Sequence, residues 1–174
     1  MRVYYQLLID TSTVIISTPI ILYQRILFMA TMKKLEVGAK LVENFKFESQ
    51  IRNHRIIIDQ PPKAGGKDEG PSPLEYMCLS LAACVVTVGQ IIAKQKRIKL
   101  RDIEAKVEAE LDSDVFMGKG KEHRAGFLSL KVITKIDADM SLEEKKAFLE
   151  EIDSRCPISE NLQHTTPVTL EIAE

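Results

Sequence analysis

Three side chains in this sequence are suited to covalent chemistry, the thiols of Cys78, Cys84 and Cys156. A thiolate attacks peroxides, disulfides and electrophiles. An ordinary thiol is only a few per cent ionised at neutral pH, so a reactive cysteine needs a cation, a helix end or a metal beside it. Cys156, in Arg155-Cys156-Pro157, has a positive neighbour and lies where a helix should stop. Cys78 and Cys84 share one apolar stretch and are six residues apart, hence about 9 Å along a helix axis. A disulfide tolerates roughly 7 Å between Cα atoms, so these two do not bridge without unwinding. Each can meet Cys156 across a fold. Free cysteine is often no more than a small buried hydrophobe; Cys78 reads that way, and Cys84 less so. A structural Cys84–Cys156 bridge would close a long loop and add about 4 kcal/mol by chain entropy. In a reducing compartment such a bond is transient and catalytic instead. No CxxC occurs, and His54, His123 and His164 show no ligand spacing, so no metal site is expected.

The stretch that carries Cys84 opens with a strong helix signal. In Ser72-Pro73-Leu74-Glu75, the serine hydroxyl can accept the amide three residues on, and the glutamate can reach back to the serine amide. That is a capping box, with Pro73 at the first helical position, where its missing N–H costs nothing. From Leu74 to Ile92 the chain is apolar on almost every face, and a helix of that kind must be covered on several sides. It should end near Arg97, since Lys94, Lys96 and Arg97 suit the negative end of the helix dipole.

Upstream, Leu35–Val42, Phe45–Ile51 and Arg55–Asp59 predict a meander of two or three short strands, with Glu43-Asn44 and Asn53-His54 as breaks. The Pro- and Gly-rich run from Gln60 to Pro71 predicts a functional loop. Downstream, Ile103, Ala105, Val107, Ala109 and Leu111 alternate with charged residues, and Leu128, Leu130, Val132, Thr134 and Ile136 repeat the pattern. These predict two antiparallel strands with one wet face, joined by a polar connection from Asp112 to Gly126. Ser141-Leu142-Glu143-Glu144 is a second capping box, opening a helix that stops near Arg155 because a residue before proline disfavours the α region. A short helical turn through Leu162 and a last strand at Val168, Leu170 and Ile172 complete the pattern. The elements predict an α+β domain. One small sheet leaves the apolar helix partly uncovered, so a dimer that buries the rest is expected.

The chain has 174 residues and a formal net charge of −1, enough for one domain with a proper core. Balanced charge gives no footprint for nucleic acid or an anionic membrane. An odd number of widely spaced cysteines is no secreted disulfide framework, so a cytoplasmic location is expected. Residues 1–31 differ from the rest. They carry few charges and a β-branched run too short for a comfortable membrane span. Three readings apply to them: a signal or anchor, a translation start at Met29 or Met32, or an extra strand or helix. The folded domain is accordingly taken as residues 32–174.

Two longer patterns go further than spacing. Pro62-x-x-Gly65-Gly66-x-Asp68-x-Gly70-Pro71-Ser72-Pro73-x-Glu75 leads into Leu81-Ala82-Ala83-Cys84, and Cys156-Pro157-Ile158-Ser159-x-x-Leu162 follows later. Together they resemble the osmotically inducible protein C/organic hydroperoxide resistance (OsmC/Ohr) family, over about Leu35 to Glu174. The resemblance implies antiparallel sheets around a long buried helix, in an intertwined homodimer with its two active sites at the subunit interface. It implies a thiol peroxidase that reduces organic hydroperoxides without metal or flavin and draws electrons from a small or protein-bound dithiol. Cys84 would be the peroxidatic thiolate and Cys156 the residue that resolves its sulfenic acid to a disulfide. The apolar neighbours Leu81, Ala82, Val85 and Val88 would favour a bulky organic peroxide and raise the thiol pKa, so a cation is required nearby.

The peroxidase branch of that family has a glutamate directly after the proline and an arginine in the early hairpin. Here Leu74 follows Pro73 and the glutamate comes one place later. Glu75 is nine residues before Cys84, half a turn out of phase, and so projects from the opposite helix face. Its expected role is the cap, unless a dimer brings it to the partner's cysteine. Lys46, Arg52, Arg55 and Arg155 are the candidate cations. The resemblance is thus to the broader OsmC-like group. The same dithiol would also serve a redox sensor, or a binder of small electrophiles or thiols without turnover, and inert buried cysteines are a third reading.

Overall fold

The computed structural model describes residues 31–173; the expectations for residues 1–31 fall outside that range except at Thr31. The compact unit begins at Val37. It opens with a three-stranded antiparallel meander, β1 (Lys40–Glu43), β2 (Lys46–Ile51) and β3 (His54–Ile58), in the order β1-β2-β3. β1 is shorter than the apolar pattern predicts: Leu35 and Val37 are exposed and unpaired with β2, and pairing starts at Lys40. Phe45 lies in the β1–β2 turn, where Asn44 takes a positive φ of 47°, a conformation that asparagine tolerates well.

Asp59 ends the meander and organises the loop beyond it. Its buried carboxylate accepts the amides of Gln60, Lys67 and Glu69 at 2.8, 3.0 and 3.1 Å. Burial opposes its charge, but those three donors outweigh it and hold the carboxyl below its ordinary value. The loop closes so tightly that a Cβ on Gly66 would lie 1.9 Å from the Gln60 carbonyl oxygen. Tyr76 donates its hydroxyl to the Ile57 carbonyl at 3.0 Å. Strand end, loop and helix start are thereby tied together.

The central helix, α1 (Pro73–Lys96), begins with the expected capping box: Glu75 N–H donates to Ser72 Oγ, and Ser72 N–H donates to the Glu75 carboxylate at 2.7 Å. Arg97, left-handed at φ 57°, stops it. Beyond lies a two-stranded antiparallel sheet, β4 (Leu100–Glu110) with β5 (Ser129–Ala138). Its inner face pairs Ile103 with Ile136, Ala105 with Thr134, Val107 with Val132 and Ala109 with Leu130. The polar connection contains a one-turn helix, α2 (Ser113–Phe116), capped by Asp112 and ended near Gly118, where φ is 72°. The second capping box, Ser141 with Glu144, opens α3 (Leu142–Arg155), and α4 (Pro157–Gln163) follows after one residue.

α1 packs on β4 along one flank and on α3 and α4 along another. Leu81, Val85, Val88, Ile92 and Ala93 from α1, Ile103 from β4, and Phe148, Ile152 and Cys156 from the α3–α4 corner form the core. By length and apolarity α1 could cross a bilayer; here one side of it is core. Met77, Leu79 and Ile91, also on the helix, are exposed, so the described residues cover only part of it.

The expected last strand is absent. Val168, Leu170 and Ile172 alternate as predicted but pair with no strand among the described residues and are 82, 94 and 95% exposed. Alternation marks a segment fit for a sheet edge; it does not provide the edge.

Ile152, fully buried beside Cys156, should be the more costly residue to truncate, and Ser72 the cheaper. Ile152→Ala is expected to lower the unfolding free energy by about 2–5 kcal/mol, and Ser72→Ala by about 1 kcal/mol. Urea denaturation of both variants measures the contrast.

Candidate redox site

Cys84 lies midway along α1 on the face that meets α3 and α4, and Cys156 is the single residue between those two helices. Cys156 takes an extended conformation, with φ −83° and ψ 109°, and serves at once as the last cap of α3 and the first of α4. Pro157 makes that corner obligatory, since it disfavours helix in the residue before it while fitting the first helical position itself. The Cys156 amide donates to the Asp153 carbonyl at 3.1 Å, and the Ser159 amide points at the Cys156 sulfur at 3.4 Å.

The corner brings the two sulfurs to 2.7 Å. A shift of well under an ångström separates that from the ~2.05 Å of a disulfide. The environments differ. Cys156 is 1% exposed, whereas Cys84 is only partly buried. Cys78 also keeps a free, half-buried thiol on α1 and belongs to no such contact. Burial pushes its thiol up, and the Glu75 carboxylate adds to that.

Burial likewise pushes the Cys84 thiol up, and the hydrogen bond it shares with Cys156 adds to the effect, with a smaller contribution from the charge of the Cys156 sulfur. The backbone at Ile158, near Cys84, works the other way. None of the four candidate cations is among the groups that act on Cys84 within the described chain. Lys46 is paired with Glu69, and Arg55 with Glu48. Arg155 reaches Gln95 at 2.9 Å and Glu151 at 3.5 Å. Arg52 sits exposed in the β2–β3 turn at φ 54° and forms no ion pair among the described residues. Glu75 is occupied by its cap, which holds its carboxyl below the ordinary range.

Sequence reasoning overlooked the backbone donor of Ser159. The signal was present: Cys-Pro-x-Ser reads as a cysteine N-cap followed by proline at the first helical position, which turns the next free amides toward the cysteine.

A family model described as OsmC-like protein matches residues 66–171, which include the second half of the Gly-rich loop and both cysteines of the pair. The chain belongs to the OsmC-like family. Among relatives of this OsmC-like protein is the hydroperoxide reductase of Mycoplasma genitalium, 24% identical over 141 residues that span 81% of this chain and 95% of the relative. The organic hydroperoxide resistance protein OhrA of Bacillus subtilis is 24% identical over 119 residues, spanning 68% and 79% of the two chains. The fold matches the crystal structure of an OsmC-like protein from Mycoplasma pneumoniae with a TM-score of 0.67, at 24% identity, covering 78% of this chain and 91% of the other.

Because burial dominates at Cys84 and no cation among the described residues opposes it, alkylation of Cys84 in the isolated OsmC-like chain should have its pH midpoint above the ordinary thiol value of about 8.5. Iodoacetamide rates between pH 6 and 10, with site assignment by peptide mass, check this. A midpoint near neutrality would mean that positive charge arrives from outside the described residues.

Proposed function

We propose that this protein is a thiol-dependent peroxidase that reduces organic hydroperoxides to alcohols in the cytosol. The observation that carries the proposal is the 2.7 Å approach of a partly exposed sulfur, Cys84, to a fully buried one, Cys156. A peroxide can reach the first, and only the first can reach the second. The relatives named for hydroperoxide reduction and resistance support the substrate class.

The Cys84 thiolate attacks the distal peroxide oxygen. An S–O bond forms, the O–O bond breaks, and the departing alkoxide takes a proton to become the alcohol. The Cys156 thiol then attacks the sulfenic sulfur; the S–S bond forms, the S–O bond breaks, and water leaves with the thiol proton. An external dithiol restores both thiols by exchange. No metal or flavin takes part. Apolar surroundings from Leu81, Val85 and Val88 favour an organic peroxide over hydrogen peroxide.

The working form in this proposal is a homodimer. The exposed apolar residues Met77, Leu79 and Ile91 on α1, Leu41 and Val42 on β1, and the unpaired segment from Val168 to Ile172 support it. A second subunit would also supply the cation that Cys84 lacks among the described residues, with Lys46, Arg52 and Arg55 of the meander as the candidates and Arg155 as a fourth. Glu75 would assist only from across that interface. A second reading, a redox sensor or small-molecule-binding dithiol protein without turnover, is favoured by one observation: within one chain the Cys84 thiol is pushed up.

Turnover separates the two. With cumene hydroperoxide and dithiothreitol, the wild-type protein should consume peroxide catalytically, and faster than it consumes hydrogen peroxide. Cys84→Ser should fall to background, and Cys156→Ser should complete the first oxidation but lose disulfide-linked turnover. A wild-type protein that oxidises once, or not at all, in the presence of the dithiol contradicts the peroxidase reading.

A further inference from the structure

The corner that presents Cys156 is spanned by a polar cluster that the redox steps above do not use. Ser159 Oγ, buried with its residue only 7% exposed, donates to the Asp153 carboxylate. Gln163 Nε2 donates to Ser159 Oγ at 2.8 Å and to the same carboxylate at 3.3 Å. The main-chain carbonyl of Asp153 also accepts the Cys156 amide. Asp153 therefore grips both sides of the corner, by its backbone on the cysteine and by its side chain on the first turn of α4. That turn carries the Ser159 amide, which points at the Cys156 sulfur.

Resting on the reading of Cys84 and Cys156 as the redox pair, we propose that Asp153, Ser159 and Gln163 form a positioning clamp. It fixes the angle between α3 and α4, and so sets how readily the pair closes to a disulfide. None of the three reacts. Their effect passes through the placement of Cys156 and of the Ser159 amide. Once Cys84 is a sulfenic acid, two routes compete. Attack by the Cys156 thiol forms S–S, breaks S–O and releases water. Attack on a second hydroperoxide transfers one oxygen, gives the sulfinic acid and releases another alcohol. A rigid corner favours the first route, and a loosened one gives the second more time.

The three side chains line an open cleft of about 490 Å³, and Asp153 is itself exposed. Truncation there admits water instead of leaving a void in the core. A hydrogen bond to a charged acceptor contributes roughly tenfold or more to an equilibrium constant, which sets the size of the expected effect.

The test is a redox titration of the full chain in oxidised and reduced dithiothreitol, with the Cys84–Cys156 bond quantified by mass after acid quenching. Ser159→Ala and Asp153→Ala should each make the disulfide about tenfold easier to reduce, and Ser159→Thr, which keeps the hydroxyl, should restore it to within about twofold. Under excess cumene hydroperoxide without dithiol, the two alanine variants should also accumulate more sulfinic acid at Cys84. Wild-type equilibria in both alanine variants, even with lowered thermal stability, would overturn the clamp and leave the cluster a purely structural feature. If peroxide leaves the wild type reduced while the alanine variants still shift the titration, the clamp stands and the peroxidase reading falls.

Discussion

α1 carries apolar side chains over nearly its whole circumference, and burying them is the dominant gain available to the fold. β4 takes one flank and the α3–α4 corner takes another, with Ile92 and Ile152 at the centre of the contact. Cys84 and Cys156 meet because they sit on those same two surfaces. The sulfur pair is thus a by-product of the hydrophobic contact that holds the helices together. For the same reason the site is dry on one side: the packing that brings the thiols together also removes water from them.

That dryness sets the chemical problem. Desolvation favours the neutral thiol, whereas every step proposed for Cys84 begins from the thiolate. Among the described residues the opposing influence is the backbone at Ile158. Lys46 and Arg55 are engaged with Glu69 and Glu48 on the meander itself. The exposed apolar residues of α1 and the unpaired C-terminal segment are what the proposed second copy would cover, and that copy would bring the charge that the described residues do not supply.

The elements set by local chemistry were legible in the sequence. Both capping boxes, the proline-directed corner at Cys156 and the alternation in β4 and β5 are encoded within a few residues, and each formed where its pattern placed it. Patterns that depend on a distant partner read less well. Val168, Leu170 and Ile172 carry a strand's alternation without an edge to join, and the apolar run before Lys40 does not pair. In the site, the motif pattern singled out Cys84 and Cys156, but Asp153 was invisible because an aspartate near a helix end has many ordinary uses. The Ser159 amide was missed although the Cys-Pro-x-Ser cap encodes it, because that signal lies in the backbone and not in a reactive side chain. The cation was not legible either, since a charge that acts across space, or across subunits, has no fixed spacing from the thiol it serves.

The most direct test of the account is the intact mass of the reduced protein after one equivalent of cumene hydroperoxide, followed by peptide mapping. The account predicts a loss of two hydrogens that maps to a Cys84–Cys156 bond, with Cys78 still free. An unchanged mass with all thiols reduced, or oxidation that maps to Cys78, would contradict it.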